Sequence, residues 1–239
     1  MNSPRRTHDL ALDIREEEIW RLLGYGDRPT PARVAQLIRE VREECTPLLS
    51  PACAVLRQSG DDLYRSEYLR GVEDVVLCLV TVGGGVEQVA ARYDQADQVA
   101  KALVASTFGS VATEAAADTA NALIRADIER EGLRCSRRFS PGYGGWDVAE
   151  QRWILSVLEG DALGVALTDG CMMVPRKSVT FAVNVGVDPV EMRDDNACDS
   201  CDLVNCRYRR DAVVSVKKGR EWTTFIARHS NYCPRDKWS

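Results

Sequence analysis

The sequence predicts a single α+β unit followed by a distinct C-terminal tail. Apolar runs of strand length, at residues 75–82 and 178–187, are interspersed with stretches whose apolar residues recur at helical spacing. No repeat, low-complexity tract or Pro/Gly/Ser-rich linker divides the chain up to residue 190, whereas residues 191–211 are polar and rich in cysteine. We therefore predict an α+β domain over residues 1–190 and a small Cys-rich tail over residues 191–239.

The N-terminal part of the chain predicts one strand and two helices. Residues 10–14 alternate in part like a short strand, and the acidic stretch after them opens an apolar-periodic run that ends at Leu23 before Gly24. Thr30 and Pro31 are typical of a helix N-cap and first turn. The helix that follows carries an apolar stripe formed by Val34, Leu37, Ile38 and Val41.

Residues 75–82 predict a buried strand that runs into three glycines, residues 83–85, and then a helix. Glycine-rich turns of this kind occur in nucleotide-binding proteins. The dinucleotide fingerprint, however, requires glycine at the first, third and sixth positions, and the sixth here is Gln88. The Lys-Ser/Thr pair of a P-loop is missing as well. We therefore interpret the three glycines as a plain strand-to-helix turn.

The rest of the chain is predicted to alternate between helices and strands. Helices are expected over residues 94–105 and over the alanine-rich residues 111–131, where Gly132 ends the helix. Residues 133–139 are strand-like, and Asp147 is expected to cap a further helix. More strands are predicted at residues 164–168 and 178–187, and a hairpin at residues 213–217 and 222–227.

The composition argues against several classes of function. With 45% hydrophobic and 28% charged residues, the 239-residue chain is typical of a globular protein. Its net charge of -5 disfavours binding to nucleic acid or anionic lipid through bulk charge. The longest apolar run is far shorter than the roughly 20 residues of a membrane span, and polar residues follow Arg5 and Arg6 where a signal needs an apolar stretch. We therefore predict a cytoplasmic protein without nucleic-acid or membrane partners.

Three of the nine cysteines, Cys198, Cys201 and Cys206, lie within nine residues of one another. Closely spaced thiolates beside basic residues suit structural zinc or an iron–sulfur cluster, and reduced, metal-free cysteines are the third interpretation. Candidates for a fourth ligand are Cys233, Cys171 and His229. The cysteines interpreted as small core residues are Cys45, Cys53, Cys78 and Cys135.

Residues 138–146 contain the parts of a clamp for a small ligand. They combine a cation, a rigid proline turn, glycines that let a ligand approach the backbone, and aromatic side chains that can stack on a flat ring. Arg138, expected to be exposed, can bind a carboxylate through two hydrogen bonds, and the backbone around Ser140 and Gly142 can form hydrogen bonds with the polar edge of an adenine or a ribose. The alternative is an exposed aromatic loop with an arginine and no ligand.

The pattern Arg-x-x-x-Gly-Tyr at residues 138–143, with Pro141 inside it, resembles the S-adenosylmethionine-binding motif of the activation (reactivation) domain of cobalamin-dependent methionine synthase. Residues 167–179 are similar to a loop of that domain, in which a leucine-threonine pair precedes Met-x-Pro-x-x-Ser-Val and leads into a central strand. Residues 23–25, Leu-Gly-Tyr, resemble the end of the first helix in compact stand-alone versions of that domain. The likeness extends over residues 10 to 190.

The resemblance implies a twisted, mainly antiparallel sheet with flanking helices. It also implies that S-adenosylmethionine supplies a methyl group to cobalamin reduced to cobalt(I), so that positioning is most of the catalysis and no catalytic proton-transfer residue is needed. The residues that it assigns to S-adenosylmethionine binding are Arg138, Ser140, Gly142 and Tyr143. The residues expected to line the same cleft are Met173, Pro175 and Ser178. These 239 residues show no likeness to the corrinoid, folate and homocysteine modules of methionine synthase, so we expect the corrinoid to arrive on another protein.

The leading hypothesis is therefore a stand-alone activation protein for a corrinoid-dependent, methionine synthase-type methyltransferase in methionine biosynthesis. Its partners would be a corrinoid-binding protein or methyltransferase and an electron donor. Two alternatives stay open. One is a non-enzymatic module that binds S-adenosylmethionine or a corrinoid protein and has a structural zinc tail, and the other is an iron–sulfur electron donor.

Overall fold

The structure is a computed structural model that describes residues 3–26, 28–59, 66, 68–69, 71–143, 145–189, 212–218 and 221–227. The helices in these ranges are α1 (Glu16–Leu22), α2 (Ala32–Cys45), α3 (Gly85–Gln95), α4 (Val99–Arg130) and α5 (Gln151–Val157). The strands are β1 (Arg5–Thr7), β2 (Ala52–Ser59), β3 (Asp74–Thr81), β4 (Arg134–Cys135), β5 (Ala166–Leu167), β6 (Met173–Val174), β7 (Ser178–Gly186), β8 (Ala212–Lys218) and β9 (Glu221–Ala227).

Five strands form one antiparallel sheet in the order β1-β2-β3-β7-β4. The long central pair is in register from Val75 opposite Asn184 to Thr81 opposite Ser178. β5 and β6 form a separate short hairpin, and β8 and β9 form another. This confirms the predicted α+β class with a mainly antiparallel sheet and flanking helices. The boundary between a domain and a tail at residue 190 stays a prediction.

Both faces of the sheet are covered, which explains why β3 is almost continuously apolar. One face packs on the alanine-rich half of α4, from Ala112 to Ile128, and the opposite face packs on Trp146 and α5. Successive residues of β3 alternate between these faces: Val76, Cys78 and Val80 on the first, and Val75, Leu77 and Leu79 on the second. A third cluster joins α1, α2, α3 and the first half of α4.

The predicted strand over residues 10–14 is wrong, because this segment packs on α4 instead of pairing in the sheet. The backbone carbonyl of Ala11 accepts a hydrogen bond from Thr119 Oγ1 at 2.7 Å, and Leu10 is buried against α4. The edge strand of the sheet is β1, which ends at Thr7, seven residues before the end of the predicted strand. Partial alternation of apolar residues therefore indicated burial here, but not strand pairing.

The two helices predicted over residues 94–105 and 111–131 are one 32-residue helix, α4, which starts after a turn at residues 96–98. Gly109 does not interrupt it. A Cβ atom at Gly109 would lie 3.1 Å from both Val86 Cγ1 and Lys177 Cε, so glycine lets two neighbours pack closely against α4.

The predicted caps have mixed outcomes. Thr30 is not the N-cap of α2, because Pro31 occupies that position and the helix begins one residue later. Asp147 does cap its helical segment, with Oδ1 accepting from the backbone N–H of Ala149 at 2.8 Å. Gly132 follows α4 with a φ of +75°, as expected for a residue that ends a helix.

The single cysteines outside the tail are core residues, as predicted. Cys45, Cys53 and Cys78 are buried, and Cys135 is partly buried. Burial raises the pKa of the Cys45 thiol to about 11, and it raises the pKa of Cys78 well above its ordinary value. These two thiols are therefore protonated and unreactive at neutral pH.

Candidate functional site

A cleft of about 680 Å³ opens between α4, the segment around α1, and the two loops that carry the sequence motifs. A cavity of this size suits a small organic ligand. Its lining includes Ser140, Gly142 and Tyr143 from the first motif and Met173 and Ser178 from the second. The structure thus brings residues of both motifs to one cleft. Their roles in ligand binding stay predictions.

The first motif forms a tight turn whose backbone is largely occupied by its own hydrogen bonds. The N–H of Gly142 donates to the carbonyl of Trp146 at 2.7 Å, and the N–H of Tyr143 donates to the carbonyl of Ser140 at 3.2 Å. Gly142 has a φ of +90°, which favours glycine. The N–H of Gly142 is therefore already used, and the predicted backbone contacts to a ligand would have to come from other groups of the turn.

The aromatic residues of this segment have different positions. Trp146 is buried, stacks on Tyr68 with ring centroids 5.2 Å apart, and lies 5.4 Å from Phe139. Its Nε1 donates to Glu150 Oε2 at 2.6 Å. Tyr143 lines the cleft instead. Trp146 therefore anchors the turn to the core, and Tyr143 is the aromatic residue of the turn placed to contact a ligand.

Arg138 is not the exposed clamp that we expected. Its side chain is only 8% exposed, and Nη2 donates to Asp118 Oδ1 at 2.7 Å and lies 3.8 Å from Glu114 Oε2. The guanidinium carbon is 5.3 Å from the centre of the Phe181 ring. Arg138 itself is outside the cleft lining, whereas its two partners, Glu114 and Asp118, are part of that lining.

Glu114 and Asp118 were missed by the sequence analysis, although a signal was present. They are the two charged residues between Lys101 and Arg125 in an otherwise apolar and small-residue stretch of α4. Like charges at positions i and i+4 of a helix repel each other, so such a pair needs a compensating partner. Arg138 provides that partner, 20 residues further along the chain.

Residues of the second motif divide between the cleft and the scaffold. Met173 and Ser178 line the cleft, and Ser178 Oγ donates to Thr81 Oγ1 at 2.9 Å. Pro175 is outside the cleft lining. It packs against the strand-to-helix turn, where a Cβ atom on Gly84 would lie 3.7 Å from Pro175 Cγ. Lys177 Nζ donates to Ser110 Oγ of α4 at 2.9 Å and so ties this loop to the helix.

Further cleft residues come from parts of the chain to which the sequence analysis gave no role. The N-terminal segment contributes Asp13, Arg15, Glu18 and Arg21, α5 contributes Gln151, and β7 contributes Thr180. With Glu114, Asp118, Arg176 and Lys177, the lining holds four acidic and four basic side chains. Some of these charges compensate one another within the lining, since Arg21 Nη2 lies 2.8 Å from Glu18 Oε2. The side chains that remain suit a ligand that carries charges of both signs.

The cysteines predicted to bind a metal, Cys198, Cys201 and Cys206, lie outside the described residues, and so do Cys233 and His229. Within the described part of the chain, no group of three or more His, Cys, Asp or Glu side chains is arranged to hold a metal ion. Zinc or an iron–sulfur cluster therefore stays a prediction, which metal analysis of protein purified without oxygen would test. In the same described part, none of the helices has the length and apolar character of a membrane span.

The fold is similar to a solved structure, the MetH reactivation domain bound to AdoHcy. The similarity covers 82% of both chains, with a TM-score of 0.58 and 14% sequence identity. At this identity the likeness establishes the fold. No family model matches the chain, and no curated protein matches it in sequence.

Proposed function

We propose that the cleft binds S-adenosylmethionine and that the chain serves as an activation protein for a corrinoid-dependent methyltransferase of the methionine synthase type. The observation that carries this proposal is the convergence of residues from both sequence motifs on one cleft of about 680 Å³. The fold is shared with a domain whose solved structure contains AdoHcy, the product left when S-adenosylmethionine donates its methyl group.

The charges in the cleft support a ligand with an amino-acid part. S-adenosylmethionine carries a carboxylate, an ammonium group and a sulfonium cation. Asp13 is exposed on the cleft and forms no ion pair with another described residue. It is therefore available to a cationic group of the ligand. Glu114 and Asp118 of α4 also line the cleft, and the single guanidinium of Arg138 beside them leaves this pair with a net negative charge.

The work of this chain would be to bind and orient the methyl donor. The sulfonium is already a good leaving group, and the reduced corrinoid, brought by a partner protein, supplies the nucleophile. Tyr143 and the half-exposed Val148 line the cleft, where they would cover the ligand from water. Holding two reactants in a productive geometry accounts for a large share of such a rate enhancement.

The proposal is tested by calorimetric titration of the full chain with S-adenosylmethionine, followed by methyl transfer to a corrinoid protein reduced to cobalt(I). We expect binding, and methylcobalamin formation that depends on the chain. Binding without methyl transfer would favour the alternative of a non-enzymatic binding module. Absence of binding would contradict the proposed function.

Asp13→Asn is expected to weaken S-adenosylmethionine binding by about tenfold or more, because a charge-assisted contact contributes about 1.5 to 3 kcal/mol. The free energy of unfolding should be unchanged, since Asp13 is exposed and forms no ion pair with another described residue. Calorimetry gives the Kd of the parent and the variant. Asp9→Asn removes the same charge four residues earlier, outside the cleft lining, and should bind like the parent. Equal weakening by both changes would exclude a local role for Asp13.

A further inference from the structure

Among the described residues, five neutral polar side chains of the cleft lining are buried. Two of them, Thr113 and Ser178, donate to Gly109 and Thr81, which lie outside the lining. The other three, Ser140, Gln151 and Thr180, are 4%, 8% and 1% exposed. They come from the turn after β4, from α5 and from β7, so that three separate segments meet here. Polar side chains at this depth are costly unless they form hydrogen bonds.

One of the three has no hydrogen bond. Thr180 Oγ1 donates to Gln151 Oε1 at 3.0 Å, but Ser140 Oγ is buried without a hydrogen-bond partner among the described residues. A buried hydroxyl without a partner costs about 1 to 3 kcal/mol. Ser140 lines an open cleft but its Oγ is covered in this rotamer, so rotation about the Cα–Cβ bond would turn the hydroxyl toward an atom of a bound ligand.

The side chains of Ser140, Gln151 and Thr180 together offer mainly hydrogen-bond donors to a ligand. With Gln151 Oε1 accepting from Thr180, the amide NH₂ of Gln151 remains to donate, and the hydroxyl of Ser140 can rotate to donate. None of these side chains is ionised. The complement is an uncharged ligand edge with acceptor atoms, whereas the charged part of a ligand is better placed beside Asp13, Glu114 and Asp118.

We propose that Ser140 and Gln151, with Gln151 oriented by Thr180, form a donor subsite that binds ring nitrogens of the ligand's purine. This proposal rests on the proposed function, since it assumes that an adenosyl ligand occupies the cleft. It assigns purine recognition to the side chain of Ser140 and to Gln151, since the N–H of Gly142 is already bonded within the turn. Thr180 is a positioning residue that acts through Gln151.

The test is a titration of the full chain with AdoHcy and with its 1-deaza, 3-deaza and 7-deaza analogues, each of which replaces one ring nitrogen with a C–H group. The parent is expected to bind at least one analogue about tenfold more weakly than AdoHcy, as the loss of one good hydrogen bond predicts. In Ser140→Ala or Gln151→Met, that analogue and AdoHcy should bind equally.

Three further variants separate recognition from general damage to the fold. Ser136→Ala removes a buried serine hydroxyl outside the cleft lining, one that already accepts from the N–H of Asn184 at 2.9 Å, and it should keep the parent's discrimination between AdoHcy and the analogue. Thr180→Val should reduce this discrimination, and Thr180→Ser should restore it. A merely structural role of Thr180 would shift the unfolding temperature without changing the ratio of the two Kd values.

The outcomes distinguish this inference from the function on which it rests. If the parent binds AdoHcy and all three analogues equally, or if both subsite variants discriminate as the parent does, the purine subsite is wrong while the proposed function stands. If the parent binds neither AdoHcy nor S-adenosylmethionine, both are wrong. The analogue series on the parent alone decides the question even if a subsite variant fails to fold.

Discussion

Gly85→Ala is expected to destabilise the fold by about 3 kcal/mol, since forcing an atom into a closely packed site costs about 1 to 3 kcal/mol and sometimes more. A Cβ atom at this position would lie 2.6 Å from the carbonyl oxygen of Leu48 and 3.0 Å from Leu48 Cβ. The first of these is a backbone atom, so a side-chain rotation cannot relieve the clash. Either α3 or the turn that precedes β2 would have to move. Denaturant unfolding at equilibrium measures the change.

Gly84→Ala is the matched control for this prediction. Gly84 precedes Gly85, has a φ of −91° that any residue can adopt, and a Cβ atom there would lie 3.7 Å from its nearest neighbour. The free energy of unfolding of the Gly84→Ala protein should stay within about 0.5 kcal/mol of the parent value, as for an ordinary substitution away from special features. Similar losses in both variants would show that close approach at Gly85 is not the reason for its glycine.

Arg138→Met is expected to lower the free energy of unfolding by about 2 to 3 kcal/mol and to weaken S-adenosylmethionine binding. Removing one partner of a buried ion pair costs about 3 to 5 kcal/mol, and the half-exposed Asp118 reduces that cost here. The change also removes the cation beside the Phe181 ring and leaves Glu114 and Asp118 facing each other one helical turn apart. Denaturant unfolding and calorimetry give the two effects separately.

Arg176→Met is the control, because it removes the same charge from an exposed side chain of the same cleft. It should leave the free energy of unfolding almost unchanged. If Arg138→Met is as stable as Arg176→Met and only binding suffers, Arg138 is a ligand clamp without a structural role, as its sequence motif alone suggested.

The elements that the sequence predicted well are those whose signals are local. β3 and β7 are long apolar runs rich in β-branched residues, and both occupy interior positions of the sheet. Asp147 and Gly132 act within one turn of their own positions. β2 was missed because its sequence, Ala-Cys-Ala-Val-Leu-Arg-Gln-Ser, has few β-branched residues, and its extended form is held by pairing with β3.

The sequence by itself determined the α+β class, the two motif segments, and the small residues that let α4 pack closely on the sheet. Only the tertiary structure decided which side chains face the cleft. Arg138 is drawn into an ion pair by α4, Ser140 is left with an unpartnered hydroxyl, and Gln151 is oriented by Thr180 from 29 residues away. The physical reason is that secondary structure follows from local periodicity, whereas the partner of a buried polar group is set by the packing of segments that are distant in the chain.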